Sequence, residues 1–177
     1  MEQIDEKTFA QLARLAGFGR TGFCSAAAFT AERKAVERGP EIAERRQLRF
    51  DPTADDPRTK SIAVMLWPYV PAAQEEDGCV FVDGYYFASN AAYHAARALE
   101  AQLTEVGHFA KANVSYPARE AALRAGMGVI GQNGMLITPE YGSRFVIILM
   151  ATDIVHTAPD CGEHGGCLHC GRCAKAC

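Results

Sequence analysis

Residues 121–144 read AALRAGMGVIGQNGMLITPEYGSR, and the order of elements in this run decides the fold. Gly126-Met127-Gly128-Val129-Ile130-Gly131 matches G-x-G-x-x-G letter for letter. In a dinucleotide-binding fold that motif follows a strand and opens a helix, whose N-terminus faces the pyrophosphate. Here the order is reversed. Pro117 is placed to start a short helix that runs to Ala125 and stops at Gly126. Gln132-Asn133-Gly134 and a strand from Met135 to Thr138 come after the glycines. Asp153, the acid nearest the spacing of a ribose ligand, closes a strand instead of binding a sugar. The glycines therefore read as a loop that lets another backbone, or a large flat cofactor, come close. Gly128, Gly131, Gln132 and Asn133 are its candidate cofactor contacts.

Upstream, Phe9, Leu12, Leu15 and Ala16 share one face of a helix predicted over Glu6–Ala16. Glycines 17, 19 and 22 break it, and Phe23–Phe29 is expected as a short strand. Thr30 is placed to cap a second helix from Ala31, which Gly39-Pro40 interrupts and which resumes over Glu41–Leu48. The charged run from Arg33 to Arg49 is expected as a solvated helix face. Asp51–Thr59 reads as a loop. Ser61–Trp67 is continuously apolar and reads as a buried strand. Gln74–Gly78 is expected to be exposed, and Ser89–Val106 is the clearest helix, ended by Gly107. Arg144–Thr152 is a further strand, joined to Met135–Thr138 by the turn Pro139-Glu140-Tyr141-Gly142.

The chain changes character after Asp153, and a boundary is expected near residue 158. Five of the seven cysteines lie in the last 17 residues. Cys167-x-x-Cys170-x-x-Cys173-x-x-x-Cys177 is the spacing with which bacterial ferredoxins bind [4Fe-4S] clusters. Small spacers such as Gly171, Ala174 and Ala176 suit a backbone wrapped around an inorganic core. Zinc held by these cysteines with His164 or His169 is the alternative, although zinc sites usually pair two knuckles across a longer loop. The cluster pattern normally continues with proline, whereas the sequence stops at Cys177, so a truncated segment is expected. If Cys167, Cys170 and Cys173 hold one cluster, a fourth ligand comes from Cys161, Cys24, Cys79 or another chain. Cys24 and Cys79 themselves read as inert buried thiols. His94, His156, His164 and His169 are expected as ordinary, mostly exposed histidines, with His164 and His169 near enough to a cluster to tune it.

The net charge of −3 gives no basic field for nucleic acid. The longest apolar run, Phe145–Ala151, is far short of the roughly 18–20 residues of a membrane span. The acidic start Met1-Glu2-Gln3-Ile4-Asp5-Glu6 does not read as a signal peptide. Cysteines clustered at one end point to metal ligation in a reducing cytoplasm rather than to a disulfide framework.

The run from Ala121 to Arg144 resembles the signature of epoxyqueuosine reductase and its paralogues. In that family an alanine-rich helix leads into a Gly-Leu-Gly-x-Ile-Gly-Lys-Asn type loop and a Leu-Leu-Ile-x-x-Glu-x-Gly-Ser strand and turn. Thr152-Asp153 and the cysteines follow in the family's order. Leu12–Phe23, Tyr69-x-Pro71 and Tyr93-His94 resemble its other motifs more weakly. The resemblance implies an α+β fold, a central sheet flanked by helices of the cobalamin-domain or nitroreductase-like kind, over residues 1–157. Residues 158–177 would begin a double-cluster domain. It also implies [4Fe-4S] clusters, cobalamin and a reduced donor such as ferredoxin or flavodoxin. Tyr141 and Arg144, which flank a turn, are expected either to touch a phosphate or corrin side chain or to serve the structure alone. The family carries a catalytic aspartate in a Val-Asp-x-x-Pro segment, whereas the matching Ala112-Asn113-Val114-Ser115-Tyr116-Pro117 has no acid. Ala92 likewise stands where an aspartate precedes Tyr-His. The expectation is a paralogue with a different substrate, or an electron-transfer module or corrinoid-binding protein without catalysis of its own.

Overall fold

Two strands that are apolar on both faces organise the molecule. The computed structural model describes residues 4–36, 47–70, 82–161, 167 and 169–176. Strand β2 (Ser61–Pro68) and strand β6 (Phe145–Thr152) pair antiparallel, with Ser61 opposite Thr152 and Pro68 opposite Phe145. Strand β1 (Arg20–Ser25) and strand β3 (Ala110–Ala112) flank them, giving an antiparallel sheet of order β1-β2-β6-β3.

Side chains alternate across a strand, so each central strand feeds two cores. Ala63 and Met65 of β2 and Val146, Ile148 and Met150 of β6 pack on one side with Phe9, Phe18, Ala92, Ala96, Leu99 and Leu103. Ile62, Val64, Leu66, Phe145, Leu149 and Ala151 pack on the other with Phe29, Ala121, Ala122, Met127 and Leu136. That double burial is why Ser61–Trp67 and Phe145–Ala151 read as unbroken apolar runs.

Helix α1 (Glu6–Leu15) and the helix Gly84–Glu105 cover the first face. Asp5 caps α1 by accepting the Thr8 N–H at 2.8 Å, and Gly17 at φ 107° ends it. Between them lie α2 (Thr30–Val36) and α3 (Pro52–Asp55), which makes Gly84–Glu105 helix α4. The α3 turn corrects the expected loop over Asp51–Thr59, because Asp51 accepts the Ala54 N–H and Pro52 starts the turn. Helix α4 begins five residues before the expected Ser89, because the Asp83 carboxylate caps the Tyr85 N–H at 2.7 Å. Its buried stripe Ala88, Ala92, Ala96, Leu99 and Leu103 is mostly small, which seats it close to the sheet.

The second face is covered by α5 (Ala118–Arg124) and a separate two-stranded sheet, β4 (Val129–Ile130) with β5 (Leu136–Ile137). The strand expected at Met135–Thr138 is therefore a partner of the glycine run and not of β6. Strand β1 lies earlier than the expected Phe23–Phe29: Arg20, Thr21 and Gly22 pair with Leu66, Met65 and Val64. Its polar residues are tolerated because β1 has a partner on one side only. A short helix α6 (Arg172–Ala176) follows in the cysteine segment. Among the described residues, no helix is long and apolar enough to cross a membrane. The expectations for Glu41–Arg46 and Gln74–Gly78 lie outside the described residues.

Candidate redox site

The glycine run follows helix α5 and forms a strand, so a helix precedes it and β4 is part of it. Gly126, at φ 63°, turns the chain out of α5, and the Met127 N–H returns to the Ala122 carbonyl at 2.9 Å. Met127 is then buried against β1, where a Cβ on Gly22 would lie 2.6 Å from its sulfur. At Gly128 a Cβ would run into the Ile137 carbonyl of β5. At Gly131 it would meet Asn133 Oδ1 and Ile137 Cδ1, both at 2.8 Å. Both glycines thus let the chain's own strands close on each other, the backbone half of the sequence expectation.

The hairpin is shut by Gly131 N–H to the Met135 carbonyl at 2.9 Å and Gly134 N–H to the Gly131 carbonyl at 2.8 Å. Arg119 donates to the Gly134 carbonyl from below. Gln132 and Asn133 are left exposed at the tip, and Met135 is 45% exposed beside them. A polar tip with an apolar flank fits the rim of a broad ring system. The Tyr141 side chain and the Arg144 backbone each tie this turn to a neighbouring loop. The Tyr141 hydroxyl donates to the Gly19 carbonyl at 3.2 Å, and the Arg144 carbonyl accepts the Tyr69 N–H at 3.1 Å.

The run after β6 crosses the ends of the strands. Asp153 accepts from His108 Nδ1 at 3.1 Å and from the Phe109 N–H at 3.0 Å, next to β3. The Ile154 carbonyl accepts the Ser61 hydroxyl of β2 at 2.8 Å. His156 donates to Glu6 at 2.7 Å and stacks on Phe23, so it is not the exposed loop histidine its neighbours suggested: its side chain is 7% exposed. Asp160 accepts both the N–H of Ser25 at 2.7 Å and its hydroxyl at 2.6 Å, at the end of β1. The Cys161 N–H then donates to the Arg124 carbonyl at 2.7 Å, and its sulfur fills the notch left by Gly126, 3.0 Å from where a Cβ would be. Cys161 therefore sits at the end of α5, where the glycine run begins.

Cys167 and Cys173 are half-buried, Cys170 is exposed, and all three are free thiols. His169 at φ 48° and Gly171 at φ 68° put left-handed turns between them, before α6. Cys177 lies outside the described residues, as do Cys79 and His164. Among the described residues no three His, Cys, Asp or Glu side chains are gathered as a metal site. The donor set itself, soft thiols on tight turns, is the chemistry of an iron–sulfur centre. Of the candidate fourth ligands, Cys24 is set aside. It is fully buried, and burial, followed by the Asp160 charge, pushes its thiol up to about 12, far from the thiolate a metal requires. Cys161 is exposed.

A third group of residues meets at the end of β3. Asn113, at φ 56°, donates from Nδ2 to the Tyr93 carbonyl at 3.3 Å, while its Oδ1 is buried without a partner. Next to it, Val114 is half-buried against the second core and Ser115 is exposed. The Tyr116 hydroxyl is raised above its usual range by burial and by Asp55. His94 is exposed and meets Tyr93 edge to face at 5.5 Å. Two clefts, of about 440 Å³ around Arg58, Lys60, His108 and Phe109 and about 530 Å³ around Arg33, Arg49 and Phe50, are lined by neither the glycine hairpin nor the thiols.

This architecture is shared with two kinds of reductase. The structure of epoxyqueuosine reductase from Streptococcus thermophilus superposes with a TM-score of 0.72 at 24% identity, over 97% of this chain and 52% of that one. The Bacillus subtilis enzyme, solved with its catalytic aspartate loop swung out of the active site, gives 0.74 at 22% identity, over 97% and 51%. A reductive dehalogenase, whose structure suggests a mechanism for B12-dependent dehalogenation, gives 0.62 at 16% identity, over 94% and 22%. In sequence, the epoxyqueuosine reductase of Listeria monocytogenes is 46% identical over 56 residues, 32% of this chain and 14% of that protein. The tetrachloroethene reductive dehalogenase of Desulfitobacterium hafniense is 42% identical over 60 residues, 32% and 11%. No protein-family model matches. The chain thus has the fold of epoxyqueuosine reductases, with local sequence similarity to them, and spans about half the length of the two solved structures.

Proposed function

We propose that this chain is the corrinoid-binding and cluster-entry part of an oxidoreductase of the epoxyqueuosine-reductase type, acting on a substrate other than the nucleoside epoxide. The observation that carries the reading is one juxtaposition. In a chain with this fold, Cys161, which leads toward the ferredoxin-spaced cysteines, packs on Gly126, the first glycine of the run. Cys167, Cys170, Cys173 and Cys177 would hold a [4Fe-4S] cluster, with Cys161 able to take a ligand position. Gln132 and Asn133 would contact a corrinoid, on a hairpin kept flat by Gly128 and Gly131. When bound, the cluster supplies single electrons and the corrinoid a reducible cobalt.

The chain's own residues set the substrate. The segment 112–117 offers an amide, an aliphatic side chain, an exposed hydroxyl and a phenol held protonated by burial. It offers no carboxylic acid, so a substrate whose reduction depends on a positioned acid is disfavoured. The same lack of an acid favours a second reading, a cluster-carrying or corrinoid-binding protein without its own turnover. Anaerobic reconstitution with iron, sulfide and hydroxocobalamin, followed by metal analysis and absorbance of the desalted protein, separates them. Bound corrinoid together with iron and sulfide is the expected result. Iron and sulfide alone would indicate a cluster carrier, corrinoid alone a binding protein, and stoichiometric zinc would overturn the redox reading.

A further inference from the structure

One of the two clefts, about 440 Å³ in volume, lies where the chain enters β2 and β3 and leaves β6, and Arg58, Lys60, His108, Phe109 and Asp153 line it. The sheet explains why cations gather there. The Lys60 N–H bonds the Thr152 carbonyl at 2.8 Å and so continues the β2 ladder, which puts the Lys60 side chain on the face of Ile62. Lys111 of β3 pairs with Ala151, which packs on that same face, as does the Phe109 ring. Arg58 lies over Phe109, its guanidinium carbon 4.2 Å from the ring centre. The carboxylates nearby are already engaged. Asp56 accepts the Arg58 N–H and Nε at 3.0 Å and Nη2 at 2.8 Å. Its carboxyl is held down to about 2, first by those bonds and last by the Lys111 charge, which puts Lys111 at the same corner. Asp153 divides its two oxygens between His108 and the Phe109 N–H, and Asp55 holds Arg49. Among the described residues, Lys60 and Lys111 have no ion-pair partner and Arg58 Nη1 makes no hydrogen bond.

We propose that this cleft is a phosphate-binding site, with Arg58 Nη1 and the ammonium groups of Lys60 and Lys111 as its donors. Arg58 is the preorganised member. Asp56 fixes one edge of its planar guanidinium and Phe109 one face, so little freedom is lost when the remaining edge takes an oxygen. The two lysines are point charges on flexible stems and close on the anion from two other segments. Three donors from three segments suit the three terminal oxygens of a phosphate better than the two of a carboxylate. The whole chain carries a net charge of −3, so the attraction belongs to the cleft and not to a field over the surface. The phosphate comes either as the free ion or as the charged end of a small organic ester. A cleft of about 440 Å³ has room for the ester, since small-molecule sites run to roughly 300–1,000 Å³. Lined by neither the glycine hairpin nor the thiols, the site adds a ligand to the protein beyond the redox centre proposed above.

The test needs neither iron nor corrinoid, so its outcome is separate from that of the redox reading. Amide nitrogen–proton correlation spectra are recorded while inorganic phosphate, glycerol phosphate or glycerol is added at constant ionic strength. Both phosphates should give saturable shifts at the amides of Lys60, His108, Phe109 and Lys111, and glycerol none. Tighter binding of glycerol phosphate assigns an organic ester as the ligand, and equal binding assigns the free ion. Lys60→Gln and Lys111→Gln should each weaken binding roughly two- to fivefold, the range of an exposed ion pair, and the double variant roughly tenfold. Lys7→Gln, on α1, should bind as the parent does. All three lysines are exposed, so these variants leave the fold intact. Shifts that do not saturate, or a double variant that binds like the parent, would overturn the proposal. A loss in Lys7→Gln as large as that in Lys60→Gln would do the same, because the attraction would then be general and not local.

Discussion

Replacing Gly128 by alanine tests whether steric closeness holds the glycine hairpin. The added methyl would meet the carbonyl oxygen of Ile137, with the carbonyl carbon at 3.0 Å. These are backbone atoms of the paired strand, so no side-chain rotation relieves the clash. Strand β5 must move off β4, at the expense of the pairing between Val129–Ile130 and Leu136–Ile137. Overpacking of this kind costs ~1–3 kcal/mol, and each weakened backbone bond adds ~0.5–1.5 kcal/mol, for a total of about 2–4 kcal/mol. Gly142→Ala is the control. That glycine is left-handed at φ 59°, but a Cβ there meets nothing within 4 Å. Its cost is the left-handed penalty of ~1–2 kcal/mol, partly offset by a less flexible unfolded chain. For a chain of this size ~1 kcal/mol moves Tm by ~2–4 °C. Thermal unfolding followed by circular dichroism should therefore place Gly128→Ala roughly 5–15 °C below the parent and Gly142→Ala within about 4 °C of it. If Gly142→Ala were the more damaging of the two, left-handed strain and not backbone contact would dominate, and the account of the hairpin would be wrong.

Other consequences are equally direct. Cys24, with its thiol at about 12, should resist iodoacetamide at pH 8 in the native protein while Cys161 and Cys170 are alkylated; peptide mass mapping checks this. Ser61→Ala should cost ~1–3 kcal/mol in urea unfolding, because the Ile154 carbonyl loses its hydroxyl donor and the buried Thr152 hydroxyl keeps only its long bond to the Ser61 carbonyl. The Asp56 carboxyl is held down to about 2 by hydrogen bonds from the Arg58 side chain and backbone N–H. A carboxyl depressed by folding stabilises above the unfolded value of ~3.9, and that stabilisation disappears as pH falls through about 2. The gap in Tm between the parent and Asp56→Asn should accordingly be constant above pH 5 and shrink below pH 4; a gap independent of pH would refute that linkage.

The parts of this fold visible in the sequence are those whose cause is local. Ser61–Trp67 and Phe145–Ala151 show themselves because burial on both faces leaves no polar alternation. The ends of α1, α4 and α5 show themselves because Gly17, Gly107 and Gly126 adopt left-handed turns. The start of α4 was hidden because Tyr85-Tyr86-Phe87 carries no helical periodicity; the cap from Asp83 decides it. The partner of β5 was hidden for a different reason. A two-residue apolar strand fits β4 or β6 equally in pattern, and only the close approach at Gly128 selects β4. The burial of His156 and the grip of Asp160 depend on Glu6 and Ser25, partners 150 and 135 residues away, which no local pattern announces. For the site, the cysteine spacing and the glycine run were legible, while the contact joining them through Cys161 was not.

Relative to the motif it resembles, the chain differs at Ala92 and across Asn113-Val114, positions separated by a long stretch of sequence. In the structure the residue after Ala92 is bonded to Asn113. Ala92 faces the first core with no exposed surface, Tyr93 follows it on α4, and the Tyr93 carbonyl is the acceptor for Asn113 Nδ2. A carboxylate at position 92 would lie among Phe9, Ala96 and Met150, where an unpaired charge is costly. Alanine there removes that cost and lets α4 sit close to the sheet. Asn113 then ties the β3 turn to α4 with a neutral amide, and asparagine is among the residues best able to hold φ 56°. The end of β3 is thus held against α4 by the Asn113 amide on the Tyr93 carbonyl and by the Glu100 carboxylate on the Ala112 N–H.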